Sequence, residues 1–190
     1  MADPRLSEDD GRDAPPAGSA ARSEDDPEAR ARGVCLRLLT SAPRTRAQLA
    51  QALRRRDIPE DVAESVLGRF SDAGIIDDAA FAEAWVDSRH AGRGLGRRAL
   101  AAELRHRGVA EETVRDAVDE LSPEQEETAA RRLVRRKLAA TRGKDTDVRV
   151  RRLMGMLARK GYSAGLAYRL VREELEAEGA QVELPEPDPD

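Results

Sequence analysis

Leu49-Ala-Gln-Ala-Leu53-Arg-Arg-Arg-Asp57-Ile58 lies over Leu100-Ala-Ala-Glu-Leu104-Arg-His-Arg-Gly108-Val109 and over Leu153-Met-Gly-Met-Leu157-Ala-Arg-Lys-Gly161-Tyr162, at offsets of 51 and 53 residues. The match continues past the turn through Val62, Thr113 and Leu166, then Val66, Ala117 and Leu170, then Leu67, Val118 and Val171. With Leu49, Leu53, Ile58 and their counterparts, 17 of 18 such positions are apolar, Thr113 being the exception. Chance periodicity does not reproduce six positions across a helix, a turn and a second helix three times. The chain therefore reads as an array of three-helix modules.

Outward from the repeat, apolar residues recur at intervals of three and four, and Ala, Arg, Leu and Glu dominate, so the fold class is all-α. Thr45-x-x-Gln48 and Ser122-Pro123-Glu124-Gln125 are capping boxes. Pro59, Asp77 or Asp78, Asp147 and Ser163 open other helices; Gly74, Gly108, Gly143 and Gly161 sit where a left-handed residue closes one. About nine helices result, near 29–39, 46–56, 59–73, 79–90, 97–107, 110–121, 123–141, 147–160 and 164–177. A module this small buries little alone, so neighbours should stack into an elongated, curved solenoid. The expected organisation is a disordered acidic tail over 1–30, modules over 31–79, 80–122 and 123–177, and a second disordered acidic tail over 178–190.

The 190 residues carry 33 Lys or Arg against 37 Asp or Glu, a net charge of −4 that hides a division. Residues 1–30 hold a net −5 and the stretch from 177 onward another −5, which leaves +6 on the body. Within it, 31–79 nets +1, 80–124 nets −2 and 125–176 nets +7. Arg131, Arg132, Arg135, Arg136, Lys137, Arg142, Lys144, Arg149, Arg151 and Arg152 fall within 22 positions, and Ala130, Leu133, Val134 and Leu138 form an opposing apolar stripe. That pattern predicts a polyanion-binding face, extended by Arg159 and Lys160. The basic ends of the middle helices, Arg54-Arg55-Arg56, Arg105-His106-Arg107 and Arg159-Lys160, complement helix dipoles and also suggest a positive line along one edge. With Arg93, Arg97 and Arg98, the Arg54–Arg56 run and Arg105 and Arg107 form a second set of partner-facing candidates.

No segment approaches the roughly 20 apolar residues that a bilayer helix requires, and the N-terminus lacks a signal peptide's apolar region, so no membrane is expected and the location reads as cytoplasmic. One Cys and two His are too few for an ordinary zinc site, and no cofactor or metal is expected. Gly92-Arg-Gly94-Leu-Gly96 resembles half a phosphate loop, without a preceding strand or a following Lys-Ser/Thr. Cys35 reads as core, His90 and His106 as solvated, and paired acids such as Glu111-Glu112 and Glu173-Glu174 as helix-end or exposed residues. No catalytic constellation emerges, and the chain reads as a non-enzyme. Phe81 and Trp85 read as a buried stripe joining two modules, Phe70 as core, and Tyr162 as a ring under its turn. The aromatics thus offer no stacking platform for single strands. Carboxylates at Pro59-Glu60-Asp61 and Ala110-Glu111-Glu112 argue against a base-reading helix-turn-helix.

Gly74-Ile75-Ile76-Asp77-Asp78-Ala79-Ala80-Phe81-Ala82, then Ser88-Arg89, then Gly94-x-x-Arg97-x-x-x-x-x-Glu103-Leu104-x-x-x-Gly108-Val109, resembles the RecX family over roughly residues 31–176. Leu95-Gly96-Arg97-Arg98 departs from the family's Pro-x-Arg pattern. The resemblance implies tandem three-helix modules and a regulator that binds the RecA filament on single-stranded DNA, restraining strand exchange and ATP hydrolysis. The chain is expected to be a monomer that binds DNA weakly by itself. A general DNA-binding or transcription-regulating helical module is the alternative, and a scaffold without nucleic-acid contact is a third.

Overall fold

The computed structural model describes residues 26–179 and contains, among them, helices and no strand. The first module holds α1 (Pro27–Ser41), α2 (Arg46–Arg54) and α3 (Glu60–Asp72). The second holds α4 (Asp78–Arg93), α5 (Arg97–His106) and α6 (Glu111–Asp119), and the third α7 (Pro123–Ala139), α8 (Thr146–Arg159) and α9 (Ala164–Ala177). The all-α tandem reading holds, and both capping boxes form, at Thr45 with Gln48 and at Ser122 with Gln125. Asp77 and Ser163 cap α4 and α9 through their side chains. Asp145, two residues before the expected Asp147, stands at the N-cap of α8. Asp26 caps α1, so residues 27–30 are helical rather than tail. The rest of both predicted tails lies outside the described residues.

Each module closes on its own core. Leu49, Leu53, Val66, Leu67 and Cys35 form one cluster, Leu100, Leu104, Val114 and Ala117 a second, and Leu153, Leu157, Leu170 and Val171 a third. The closely packed helix pairs all fall within modules. The apolar stripe expected to be buried between modules is only half-buried: Phe81 and Trp85 pack beside the second core and face the first module.

What joins the modules is backbone chemistry. A helix N-terminus has amide donors with no intrahelical acceptor, and at α2 and α5 the following module supplies acceptors. Arg46 N–H donates to the Asp78 carboxylate at 2.8 Å, and Arg97 N–H to the Glu126 carboxylate at 2.9 Å. Thr45 Oγ1 donates to the Arg107 carbonyl at 2.7 Å. At the second junction Gly96 N–H donates to the Lys160 carbonyl and Arg98 N–H to that of Gly161, at 2.8 and 3.2 Å. In both places the turn that closes one middle helix sits on the start of the previous one.

This close approach decides which residues the turns need. Asp57, Gly108 and Gly161 occupy the same left-handed position, at φ 55°, 76° and 83°. A side chain is tolerated at Asp57, whose turn receives no earlier module. A Cβ at Gly108 would overlap that of Ala47, and one at Gly161 would overlap the backbone of Ala99. Tyr162, expected to lie under the turn, is buried there and its hydroxyl donates across the junction to the Gly94 carbonyl at 3.0 Å. Burial pushes its pKa up to about 12, with the Glu126 charge as the next cause, so the phenol remains a donor.

Gly143 provides a matched control for Gly161, since it too is left-handed, at φ 78°, but has open space where a Cβ would go. Gly143→Ala should cost only the left-handed backbone term, about 1–2 kcal/mol. Gly161→Ala should cost more and should loosen the second junction, raising the radius of gyration measured by small-angle X-ray scattering. Equal melting temperatures and equal scattering for the two variants would show that the junction does not depend on that close approach.

Candidate nucleic-acid and partner interface

The basic cluster of the third module divides into cations committed to the fold and cations left over. On α7, Arg131 meets Glu127, Glu173 and Glu174 at 2.8, 2.7 and 2.9 Å, and Arg135 meets Glu174 at 2.8 Å. Glu174 is buried, with 7% of its surface exposed. This corrects its reading as an exposed residue, and the physical reason is its register: it shares the α9 stripe of Ala167, Leu170 and Val171, so it points at α7. The helical pattern alone would project Arg131 and Arg135 to solvent with their neighbours. They instead neutralise that carboxylate, because a buried charge is costly without a hydrogen-bonded partner.

The same arginines keep these acids ionised. The Arg169 guanidinium first, then that of Arg131, holds the Glu127 carboxyl down to about 2. Arg135, followed by Arg131, holds Glu174 below the usual carboxylate range.

Arg149 is a second correction. It is buried at 8% exposure, lies 3.4 Å from Thr141 Oγ1 and pairs with Glu178, so it closes the end of the module and cannot reach a phosphate. Arg142 is exposed but stands 3.8 Å from the same Glu178. Lys160 donates to the Arg93 carbonyl at 2.6 Å, across the second junction. By contrast Arg132, Arg136, Lys137, Lys144, Arg151, Arg152 and Arg159 are exposed and make no ion pair among the described residues. They spread over α7, the α7–α8 connection and α8.

The predicted positive edge is interrupted. Arg54, Arg55 and Arg56 are exposed, and Arg56 donates to the Ala52 carbonyl at 2.9 Å. Arg105 is paired with Glu111 at 2.5 Å, and Arg107 lies with its guanidinium carbon 3.6 Å from the Trp85 ring centroid. Arg97 pairs with Glu126 at 3.5 Å and donates to the Leu121 carbonyl. Arg93 and Arg98 are exposed. His90 is half-buried rather than solvated, with Nδ1 2.9 Å from the Leu95 carbonyl oxygen. Cys35 is fully buried, and burial pushes its thiol pKa up. Among the described residues no group of His, Cys, Asp or Glu is placed to hold a metal ion, and no helix is long and apolar enough to cross a membrane.

The first, second and third three-helix domains of RecX match residues 31–70, 77–118 and 124–171. The regulatory protein RecX of Thermobifida fusca is 75% identical over 179 residues, covering 94% of this chain and 96% of that protein. The regulatory protein RecX of Streptomyces coelicolor is 60% identical over 172 residues, covering 88% and 92%. The crystal structure of RecX from Lactobacillus salivarius superposes with a TM-score of 0.74 at 20% identity, over 80% of this chain and 98% of that one. A second crystal structure, of a regulatory protein RecX, gives 0.71 at 25% identity over 81% and 75%.

The α7–α9 network carries a pH signature with a definite sign. A carboxyl held below its ordinary 4.5 in the folded chain contributes stability above that value and loses it as the pH falls toward about 2. The melting temperature should therefore fall between pH of about 5 and about 2.5, and Glu127→Gln should flatten that acid limb. An unchanged acid slope in the Glu127→Gln variant would contradict the assignment.

Proposed function

Since the chain belongs to the RecX family, we propose that this regulatory protein acts by binding the RecA filament on single-stranded DNA and restraining its strand exchange and ATP hydrolysis. The observation that carries the reading is the asymmetry of free charge. Arg132, Arg136, Lys137, Lys144, Arg151, Arg152 and Arg159 remain exposed and unpaired among the described residues, while neighbouring arginines are used internally. A set of guanidinium and ammonium groups that the fold does not neutralise attracts a polyanion and releases its counterions on contact.

The site is one of association rather than bond-making. Exposed arginines on α7 and α8 offer forked donors to phosphate oxygens, and Lys137 and Lys144 offer point charges. The modules hold these groups in a fixed relation to Arg54, Arg55 and Arg56 at the far end of the array, since the two junctions are tied by hydrogen bonds. A filament presents the same acidic and nucleic-acid surface repeatedly, which suits a chain that repeats its own fold along one direction. The chain is read as a monomer at work, in the cytoplasm where such filaments form.

Reversing Arg132, Arg136, Arg151 and Arg152 to Glu tests this. The variant should stay folded, because none of these side chains carries an ion pair of the fold. Its affinity for single-stranded DNA should fall most at low salt, and the log–log salt slope should flatten by about 0.7 for each phosphate that the variant no longer neutralises. Affinity for the filament should fall with it. Reversal of Arg54, Arg55 and Arg56 should affect bare DNA less. Equal losses from both reversals would contradict a charge field concentrated in the third module. Binding to bare DNA without any effect on the filament would identify a general DNA-binding module instead.

A further inference from the structure

The junction between the first two modules leaves a larger apolar surface open than the second junction does. A trough of about 530 Å³ opens between α1 and α4, walled by Leu39, Pro43, Ile75, Phe81, Ala84 and Trp85. Ile75 is 47% exposed, and the Phe81 and Trp85 rings stack with centroids 5.7 Å apart. The repeat supplies its own control. Asp78 and Glu126 play the same role, and at that register Ala82 matches Ala130 and Val86 matches Val134, all four buried. The counterpart of Phe81 is then Ala129, and that of Trp85 is Leu133, which is buried with its methyls against Gly94. The matching space at the second junction is smaller, about 360 Å³, and is lined by His90, Gln125, Thr128, Ala129 and Arg132 in place of the rings.

Charge on the rim of the larger trough is unbalanced in a specific way. Arg44 lines the trough, and its Nε is buried with no hydrogen-bond acceptor among the described residues. Arg89, whose guanidinium carbon is 4.0 Å from the Trp85 centroid, likewise has a buried Nε without an acceptor and only a long ion pair, 3.6 Å, to Glu103. Nearby carboxylates are already engaged by the fold: Asp77 accepts from Ala80 N–H, Asp78 from Arg46 N–H and Glu103 from Trp85 Nε1–H. The half-buried Arg44 at the trough has no ion pair among the described residues, and its guanidinium is the cation that an incoming carboxylate would meet. Nucleic-acid bases fit less well, because two guanidiniums already lie against the Trp85 ring.

We propose that this trough is a docking surface for a protein segment that presents an apolar side chain flanked by carboxylates, supplied by a subunit of the recombinase filament. The proposal rests on the filament reading above. It divides the labour: the first junction grips protein, and the free cations of the third module grip the nucleic acid or its acidic surroundings.

The test uses the full chain and its single tryptophan, Trp85, whose emission reports on the trough. Ile75→Glu and Ala84→Glu place a repelling carboxylate at two exposed positions, so one remains informative should the other fail to fold. Each should lower filament affinity by about tenfold or more, the loss of an anchor residue, with bare single-stranded DNA binding and melting temperature unchanged. A synthetic peptide of alternating aspartate and leucine should shift the Trp85 emission of the parent chain saturably and should not shift that of Ile75→Glu. If the parent chain fails to bind the filament, the filament reading falls while the peptide titration still decides the chemistry of the trough. No emission shift with the peptide overturns the proposal. So does an equal loss of bare-DNA binding, which marks a nucleic-acid surface. Shielding of Trp85 from a soluble quencher that is relieved by Leu6→Asp also overturns it, since the chain's own N-terminal segment then fills the trough.

Discussion

A helix that begins inside a junction has backbone amides that neither its own carbonyls nor water can satisfy. In this protein α2 and α5 both begin there, and an amide of each donates to a carboxylate on the first helix of the module that follows, while middle-turn carbonyls accept from the Thr45 hydroxyl at the first junction and from the Gly96 and Arg98 amides at the second. Those requirements fix how far one module advances on the next. They also dictate sequence, because the turn can come within hydrogen-bond range only where its left-handed residue lacks a Cβ. Hydrogen bonds to a carboxylate are directional and stronger than neutral ones. Three separate apolar clusters are thereby held in a defined succession.

The polar character of the junctions has a consequence for function. A continuous apolar core would have buried Phe81 and Trp85 between modules, and it would have left no trough between α1 and α4. Charge follows the same economy of internal use. The third module's excess of basic residues is reduced by Glu127, Glu173, Glu174 and Glu178, which take Arg131, Arg135, Arg142 and Arg149 into its structure. What remains outside is a smaller set of exposed cations, placed on α7, α8 and their connection.

Much of this architecture is legible in the residues. The Leu49, Leu100 and Leu153 repeat defines the module and its number, and the capping boxes at Thr45 and Ser122 mark helix starts to the residue, because those signals are local. The junctions are not legible, since nothing near Asp78 or Glu126 in sequence announces that its carboxylate reaches the amide of Arg46 or Arg97, about 30 residues away. Arg149 and Arg131 escape a reading of the chain for a related reason. A cation's partner is set by tertiary packing, and counting charges along α7 and α8 cannot see α9. Glu174 does carry a signal, since it falls on the apolar stripe of its helix, where an acid must find a cation. At Gly96 a Cβ would stand 2.8 Å from the Gly161 carbonyl oxygen, so this junction's approach needs a glycine there as well.

The proposed role directs the free charge and the fixed module spacing at a filament rather than at DNA alone. Titration of the full chain into RecA filaments assembled beforehand on single-stranded DNA, followed by the rate of ATP hydrolysis, measures that most directly. The rate should fall at less than one chain per recombinase subunit, with the same DNA concentration. An unchanged rate under conditions where the chain demonstrably binds single-stranded DNA would contradict a filament-directed role.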